Sequence, residues 1–280
     1  MPATFARPEL LASPDWLAEH LSRPGIRVVD CRYRVDGTGR QVHAAGHIPG
    51  AVHLDWAHEL IDADDPLPFQ LAGPDEFAAA MSRAGVGDGA TAILYDDTAS
   101  LYASRVWWSL RCYGFEGVRV LDGGWAAWVA SGRPTSTAAP GPEPAVFTPR
   151  SASSLRLSTP DVRALLGSPD VELVDTRGPA EYRGQEGNAK RLGHIPGAVN
   201  VPAALLTVPG SQVFETPERL SRLYVEAGVQ RGRRVVLYDG AGIGAAKAAF
   251  VLALLGYEDV ALYDSGWADW GSRLDLPVAR

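Results

Sequence analysis

The chain has 280 residues, 46% of them hydrophobic and 21% charged, with a formal net charge of -7. Such a composition suits a globular fold with one large core or two of ordinary size and excludes a disordered chain. The acidic balance speaks against nucleic acid or an anionic membrane as partner. No apolar run approaches the length of a membrane span, and the stretch from Met1 to Pro8 holds no apolar segment of signal-peptide type, so a cytoplasmic location is expected.

In chain order, short apolar runs at 26–29, 91–95 and 118–121 are bounded by turn residues, as buried parallel strands are. Helices are predicted between them at 74–84 and 99–113. Cys31 follows the first of these strands, and Cys112 sits in the apolar pattern of the second helix. Two cysteines make no disulfide framework, and both read as small buried hydrophobes. The tryptophans Trp107, Trp108, Trp125, Trp128, Trp267 and Trp270 are expected in the core and at an interface. Pro134 opens a proline-rich stretch that runs to Pro144 and suits an extended linker. Beyond it the same alternation returns, with strands at 171–174, 233–238 and 259–263 and helices near 216–227 and 242–255.

The two halves repeat each other. Val28-Val29-Asp30-Cys31-Arg32 answers to Leu173-Val174-Asp175-Thr176-Arg177, and Gly46-His47-Ile48-Pro49-Gly50-Ala51 to Gly193-His194-Ile195-Pro196-Gly197-Ala198. Leu94-Tyr95-Asp96-Asp97 matches Leu237-Tyr238-Asp239-Gly240, and Leu121-Asp122-Gly123-Gly124-Trp125 matches Tyr263-Asp264-Ser265-Gly266-Trp267. Four landmarks in one order indicate duplication. The expected organisation is an N-terminal α/β domain at 1–134, a linker at 135–150 and a C-terminal α/β domain at 151–280, each a mainly parallel sheet flanked by helices.

Two features carry chemistry. The His-Ile-Pro-Gly-Ala turns place His47 and His194 after the first strand of each half, as architecture or as site residues. In the second half a strand runs into the small-residue loop Asp239-Gly240-Ala241-Gly242-Ile243-Gly244, which opens a helix. Loop amides of this kind favour an anion placed against them. Hydrogen bonds from them are expected to lower the proton affinity of Asp239. No close Cys/His cluster suggests a metal, and no cofactor is indicated.

These motifs, with Glu181-Tyr182-Arg183-Gly184, resemble the two-domain rhodanese sulfurtransferases, the thiosulfate and 3-mercaptopyruvate sulfurtransferases, over residues 10–275. The resemblance implies tandem rhodanese-like domains and a reactive loop at 239–244. Its usual first residue is a cysteine that carries sulfur as a persulfide; here it is Asp239, and a carboxylate cannot store sulfane sulfur. By the same resemblance, Asp36 and His47 match a buried acid and histidine reaching over from the first domain. Ala241 stands where a serine completes their relay. Arg183 and Arg191 match positions that bind the substrate's anionic end, and Lys190 adds positive charge nearby; an interdomain ion pair is the alternative for Arg183. Three readings follow: a family member without conventional sulfur transfer, a binder of a small anionic or zwitterionic molecule in an interdomain cleft, or an enzyme of other chemistry. In that last reading Asp239 acts with His47 and Asp36 as nucleophile or acid–base group. A protein partner is left open.

Overall fold

The computed structural model describes residues 4–139, 141 and 143–280. Met1, Pro2, Ala3 and the linker prolines Pro140 and Pro142 lie outside them. The first half runs β1 (Leu11–Ala12), α1 (Pro14–His20), β2 (Ile26–Asp30), α2 (Gly39–Ala45), β3 (Val52–His53), α3 (Trp56–Glu59), α4 (Pro74–Arg83), β4 (Thr91–Tyr95), α5 (Leu101–Cys112), β5 (Val118–Leu121) and α6 (Gly124–Ala130). The second half runs β6 (Arg156–Leu157), α7 (Thr159–Leu165), β7 (Val171–Asp175), α8 (Pro179–Tyr182), β8 (Val199–Asn200), α9 (Pro217–Glu226), β9 (Arg234–Tyr238), α10 (Ile243–Leu254), β10 (Val260–Tyr263) and α11 (Gly266–Trp270).

Each half builds one five-stranded sheet, ordered β1-β5-β4-β2-β3 and β6-β10-β9-β7-β8. Every paired strand is parallel. Helices cover both faces, so the central strands read as continuous apolar runs rather than alternating ones. Helix starts follow local chemistry. Ser13 caps α1 by accepting from the Trp16 N–H, Ser158 caps α7 in a reciprocal box with Asp161, and Thr216 caps α9; a proline stands in the first turn of each.

The duplicated motifs have a shared physical reason. In the first half Arg32 forks onto the Asp30 carboxylate, with Nη2 to Oδ2 at 2.5 Å, and donates to the Gly46 carbonyl at 2.7 Å. In the second, Arg177 forks onto Asp175 at 2.5 Å and donates to the Gly193 carbonyl at 2.7 Å. Each guanidinium also lies over a tryptophan, Trp125 at 4.6 Å and Trp267 at 4.5 Å from the ring centroid. A buried arginine thus ties the end of the first long strand to the His-Ile-Pro-Gly turn.

The halves meet through α5 and α10. Every α10 residue from Gly244 to Leu254 is buried, and such a helix, apolar on nearly all sides, belongs inside a core. Trp107 of α5 meets Phe250 of α10 edge-on, with ring centroids 5.1 Å apart. The largest apolar cluster is continuous from Leu94 and Val106 in one half to Leu237 and Phe250 in the other. Cys31 and Cys112 are free and buried, and burial pushes both thiols up. After α6 the chain runs back along the first half: Ser136 pairs with His47, Asp88 donates its N–H to the Val146 carbonyl, and the Arg150 N–H bonds to the Tyr113 carbonyl. Among the described residues no helix is long and apolar enough to cross a membrane.

Candidate functional site

The loop from Asp239 to Gly244 joins β9 to α10 and folds around the carboxylate of its own first residue. Oδ1 of Asp239 accepts the N–H groups of Ala241, at 3.0 Å, and of Gly242; Oδ2 accepts that of Gly244 at 2.6 Å. Gly242 has φ +79°, a left-handed conformation that a side chain disfavours, so a glycine is required to turn the amides inward. Ile243 then opens α10. Gly266, at φ +53°, lets the start of α11 press against the Asp239 carbonyl, where a Cβ would collide.

The first half repeats this geometry with Asp96. Its Oδ1 accepts from Thr98 and Ser100 at 2.8 and 3.0 Å, and its Oδ2 from Tyr102 and Ala103, both at 2.8 Å. Gly124, also at φ +53°, closes against the Asp96 carbonyl as Gly266 does against Asp239.

Burial raises the proton affinity of Asp239, the amides of Gly244, Gly242 and Ala241 lower it, and burial prevails. The net direction is therefore upward, the reverse of what the loop amides alone imply. Asp96 is raised for the same reason against four amides.

First-half residues reach the edge of this loop. Arg105 of α5 donates to the Gly242 carbonyl at 3.1 Å and to Asp264 Oδ1 at 2.6 Å, with both side chains buried. It also donates to the Phe69 carbonyl at 2.6 Å, and the Leu71 N–H bonds to Asp264 Oδ2 at 3.2 Å. From the other side, the buried Lys247 bonds Thr207 Oγ1 at 3.0 Å; burial lowers its pKa to about 8 against the attraction of Asp96.

The residues expected to complete the site lie elsewhere. Asp36 is not a buried acid: it is exposed in a turn, and its Oδ1 accepts from the Thr38 hydroxyl at 2.7 Å and the Thr38 N–H at 3.1 Å. His47 is buried, but its ring stacks on His43 and its Nδ1 donates to the His43 carbonyl at 2.9 Å. Neither makes a hydrogen bond, ion pair or ring contact with residues 239–244 among the described residues, so no relay to Asp239 is assembled. Arg183 is exposed, with Nε 3.4 Å from Gln185 Oε1, and forms no interdomain ion pair among the described residues. Arg191 donates through Nη1 and Nη2 to the carbonyls of Leu276 and Trp270, at 2.7 and 2.8 Å, bracing the C-terminal segment, while its Nε is buried without a partner among the described residues.

The cavity beside the loop has other walls. About 330 Å³ in volume, it is lined by Gly240, Arg177, Glu181, Lys190, Trp267 and Ser272, with Asn188, Ala189 and Ala268 between them. All belong to the second half, so this is not an interdomain cleft. Arg177 is neutralised by Asp175, which leaves exposed Lys190 and half-buried Glu181 as opposite charges on one cavity. Arg105, Arg177 and Trp267 were not singled out as site residues by sequence; the shared Val-Asp-x-Arg pattern was the available signal for Arg177.

Comparison with known proteins agrees with this geometry. The rhodanese-like domain model matches residues 13–131 and 158–273. The sulfur carrier protein TtuD of Thermus thermophilus is 35% identical, covering 99% of this chain and 98% of its own. The 3-mercaptopyruvate sulfurtransferase of Escherichia coli is 34% identical over 94% of this chain and 95% of its own. The solved structure of the 3-mercaptopyruvate sulfurtransferase SseA from Escherichia coli superposes with a TM-score of 0.84 at 32% identity, covering 92% of this chain and 98% of that one. With two domain matches and whole-length relatives, the chain belongs to the rhodanese-like family as a tandem, two-domain member.

Proposed function

We propose that this protein is a sulfurtransferase-family member that does not carry sulfur as a persulfide and instead binds a small zwitterionic or anionic molecule beside its second-domain loop. The observation that carries the reading is the carboxylate of Asp239 seated on the N–H groups of Ala241, Gly242 and Gly244. The cradle's donors are spent on a side chain with no sulfur-accepting atom. Cys31 and Cys112 offer no substitute, because both thiols are buried and held protonated by that burial. Lys190 and Glu181 on the adjacent cavity suit a molecule with an anion at one end and a cation or proton donor at the other.

The test has two arms. Intact-mass spectrometry after incubation with thiosulfate or 3-mercaptopyruvate should show no sulfur adduct; an adduct on either cysteine would overturn the first clause. Calorimetry should then compare small amino acids with their neutral amide or ester isosteres. Binding should favour the zwitterion and weaken about tenfold or more in Lys190→Ala, the size expected for a charged hydrogen bond. Equal affinity for charged and neutral forms would overturn the second clause.

A further inference from the structure

We infer that a second, independent ligand site lies in the first domain, where His43, His47, His53 and Arg40 line one cavity built to take a small protonatable oxyanion of the phosphate class. The cavity measures about 290 Å³ and is completed by Ala44, Val52 and the segment Thr137-Ala138-Ala139. It shares no lining residue with the cavity beside Gly240.

The histidines are held in defined tautomers. A carbonyl oxygen can only accept, so His47 carries its hydrogen on Nδ1, which donates to the His43 carbonyl at 2.9 Å. His53 likewise carries its hydrogen on Nε2, which donates to the Arg32 carbonyl at 3.0 Å. The opposite ring atoms, His47 Nε2 and His53 Nδ1, are both buried and have no partner among the described residues. His47 itself is only 1% exposed. An unpaired buried polar atom is costly, and two of them on one cavity point to a ligand that supplies hydrogens. His43 adds a third ring, its Nδ1 2.8 Å from Asp30 Oδ2 and its face parallel to that of His47 at 4.0 Å.

Charge selects the ligand class. From β2, Asp30 is already neutralised by the Arg32 fork and faces His43; from α2, Arg40 is exposed and forms no ion pair among the described residues. The segment 137–139 and β3 bring no charged side chain. The cavity therefore offers one unspent cation and two nitrogen lone pairs. A phosphate ion in its dihydrogen form satisfies all three, donating one P–O–H to each ring nitrogen and accepting from the guanidinium. Among the described residues no group of three His, Cys, Asp or Glu is placed to hold a metal ion. Because only the dihydrogen form of the ion carries both hydrogens, binding should strengthen as pH falls and should draw protons from solution.

The experiment is calorimetric titration of the full chain with inorganic phosphate in buffers of different ionisation heat, with NMR of the histidine rings. Expected are phosphate binding that strengthens from pH 8 to pH 6, net proton uptake, and shifts of the His47 and His53 ring signals. Arg40→Ala, at an exposed position, should weaken binding about tenfold or more. His47→Asn, which keeps a side-chain amide near the Nδ1 position and removes Nε2, should do the same. No ring shifts at tens of millimolar phosphate, or unchanged affinity in Arg40→Ala, would overturn the proposal even if the His47 variant fails to fold.

Discussion

Asp96 and Asp239 occupy the same place in the two halves: each directly follows a central strand, turns its carboxylate back onto its own loop and accepts that loop's N–H groups. In both, the next helix-opening glycine, Gly124 or Gly266, closes over the aspartate's carbonyl. The second-domain loop thus has the internal arrangement of its first-domain counterpart, and an aspartate at 239 completes it without outside help.

That equivalence predicts matching costs of substitution. Asp239→Asn and Asp96→Asn each set a side-chain N–H2 against backbone donors where a carboxylate oxygen stood. Each should lower stability by about 1–3 kcal/mol, the penalty for an unsatisfied buried group. Urea unfolding monitored by tryptophan fluorescence measures it; a neutral Asp239→Asn would show that the cradle contributes nothing to folding.

Restoring the family's nucleophile should restore little. Asp239→Cys is expected to take up sulfur from thiosulfate, visible as an adduct by mass spectrometry, yet turn over slowly, because Ala241 and Gly244 provide no hydroxyls. Rapid cyanide-dependent turnover in this single variant would contradict that expectation.

Arg105 and Asp264 form a buried ion pair between the halves. Arg105→Ala strands Asp264 and frees the Gly242 carbonyl, although Arg156 still lies 3.1 Å from Asp264 Oδ2. Removing one partner of a buried pair typically costs about 3–5 kcal/mol. Thermal unfolding should shift down accordingly, and the Asp239 loop amides should exchange hydrogen faster than in the parent.

The pH dependence of stability follows from Asp122, raised to about 6 by burial against the N–H groups of Phe214 and Gly123. The Phe214 N–H reaches it from the other half at 3.0 Å. Because its folded pKa exceeds the unfolded value of about 3.9, the folded state binds more protons between them. Its destabilising effect is full above about pH 6 and is relieved as pH falls toward 4. Asp30 behaves oppositely: burial raises it, but His43 and Arg32 outweigh burial and hold it at about 2, so its stabilisation is lost only in strong acid. Melting temperatures should show Asp122→Asn gaining more over the parent at pH 8 than at pH 5; an equal gain at both would refute the assignment.

The long elements were legible because their apolar runs are self-announcing: 91–95 and 118–121 coincide with β4 and β5, and 243–254 falls inside the helix expected at 242–255. Strands of two residues, such as β1, β3, β6 and β8, are too short to show a period and form only because a longer neighbour offers an edge. Within the site, the loop and its aspartate were readable as a segment. The partners were not, since Arg105 lies 137 residues from Gly242 in the chain and nothing local marks it. Asp36 was misplaced because a matched position says nothing about exposure. The proton affinity of Asp239 came out with the opposite sign because desolvation depends on everything packed around the loop.

The shared wall formed by α5 and α10 has a consequence for inheritance. Each half supplies the lid of the other's core, so a crossover that separated them would release two fragments with a bare helix face, prone to aggregation. A duplicated gene bound in this way persists or is lost as a unit.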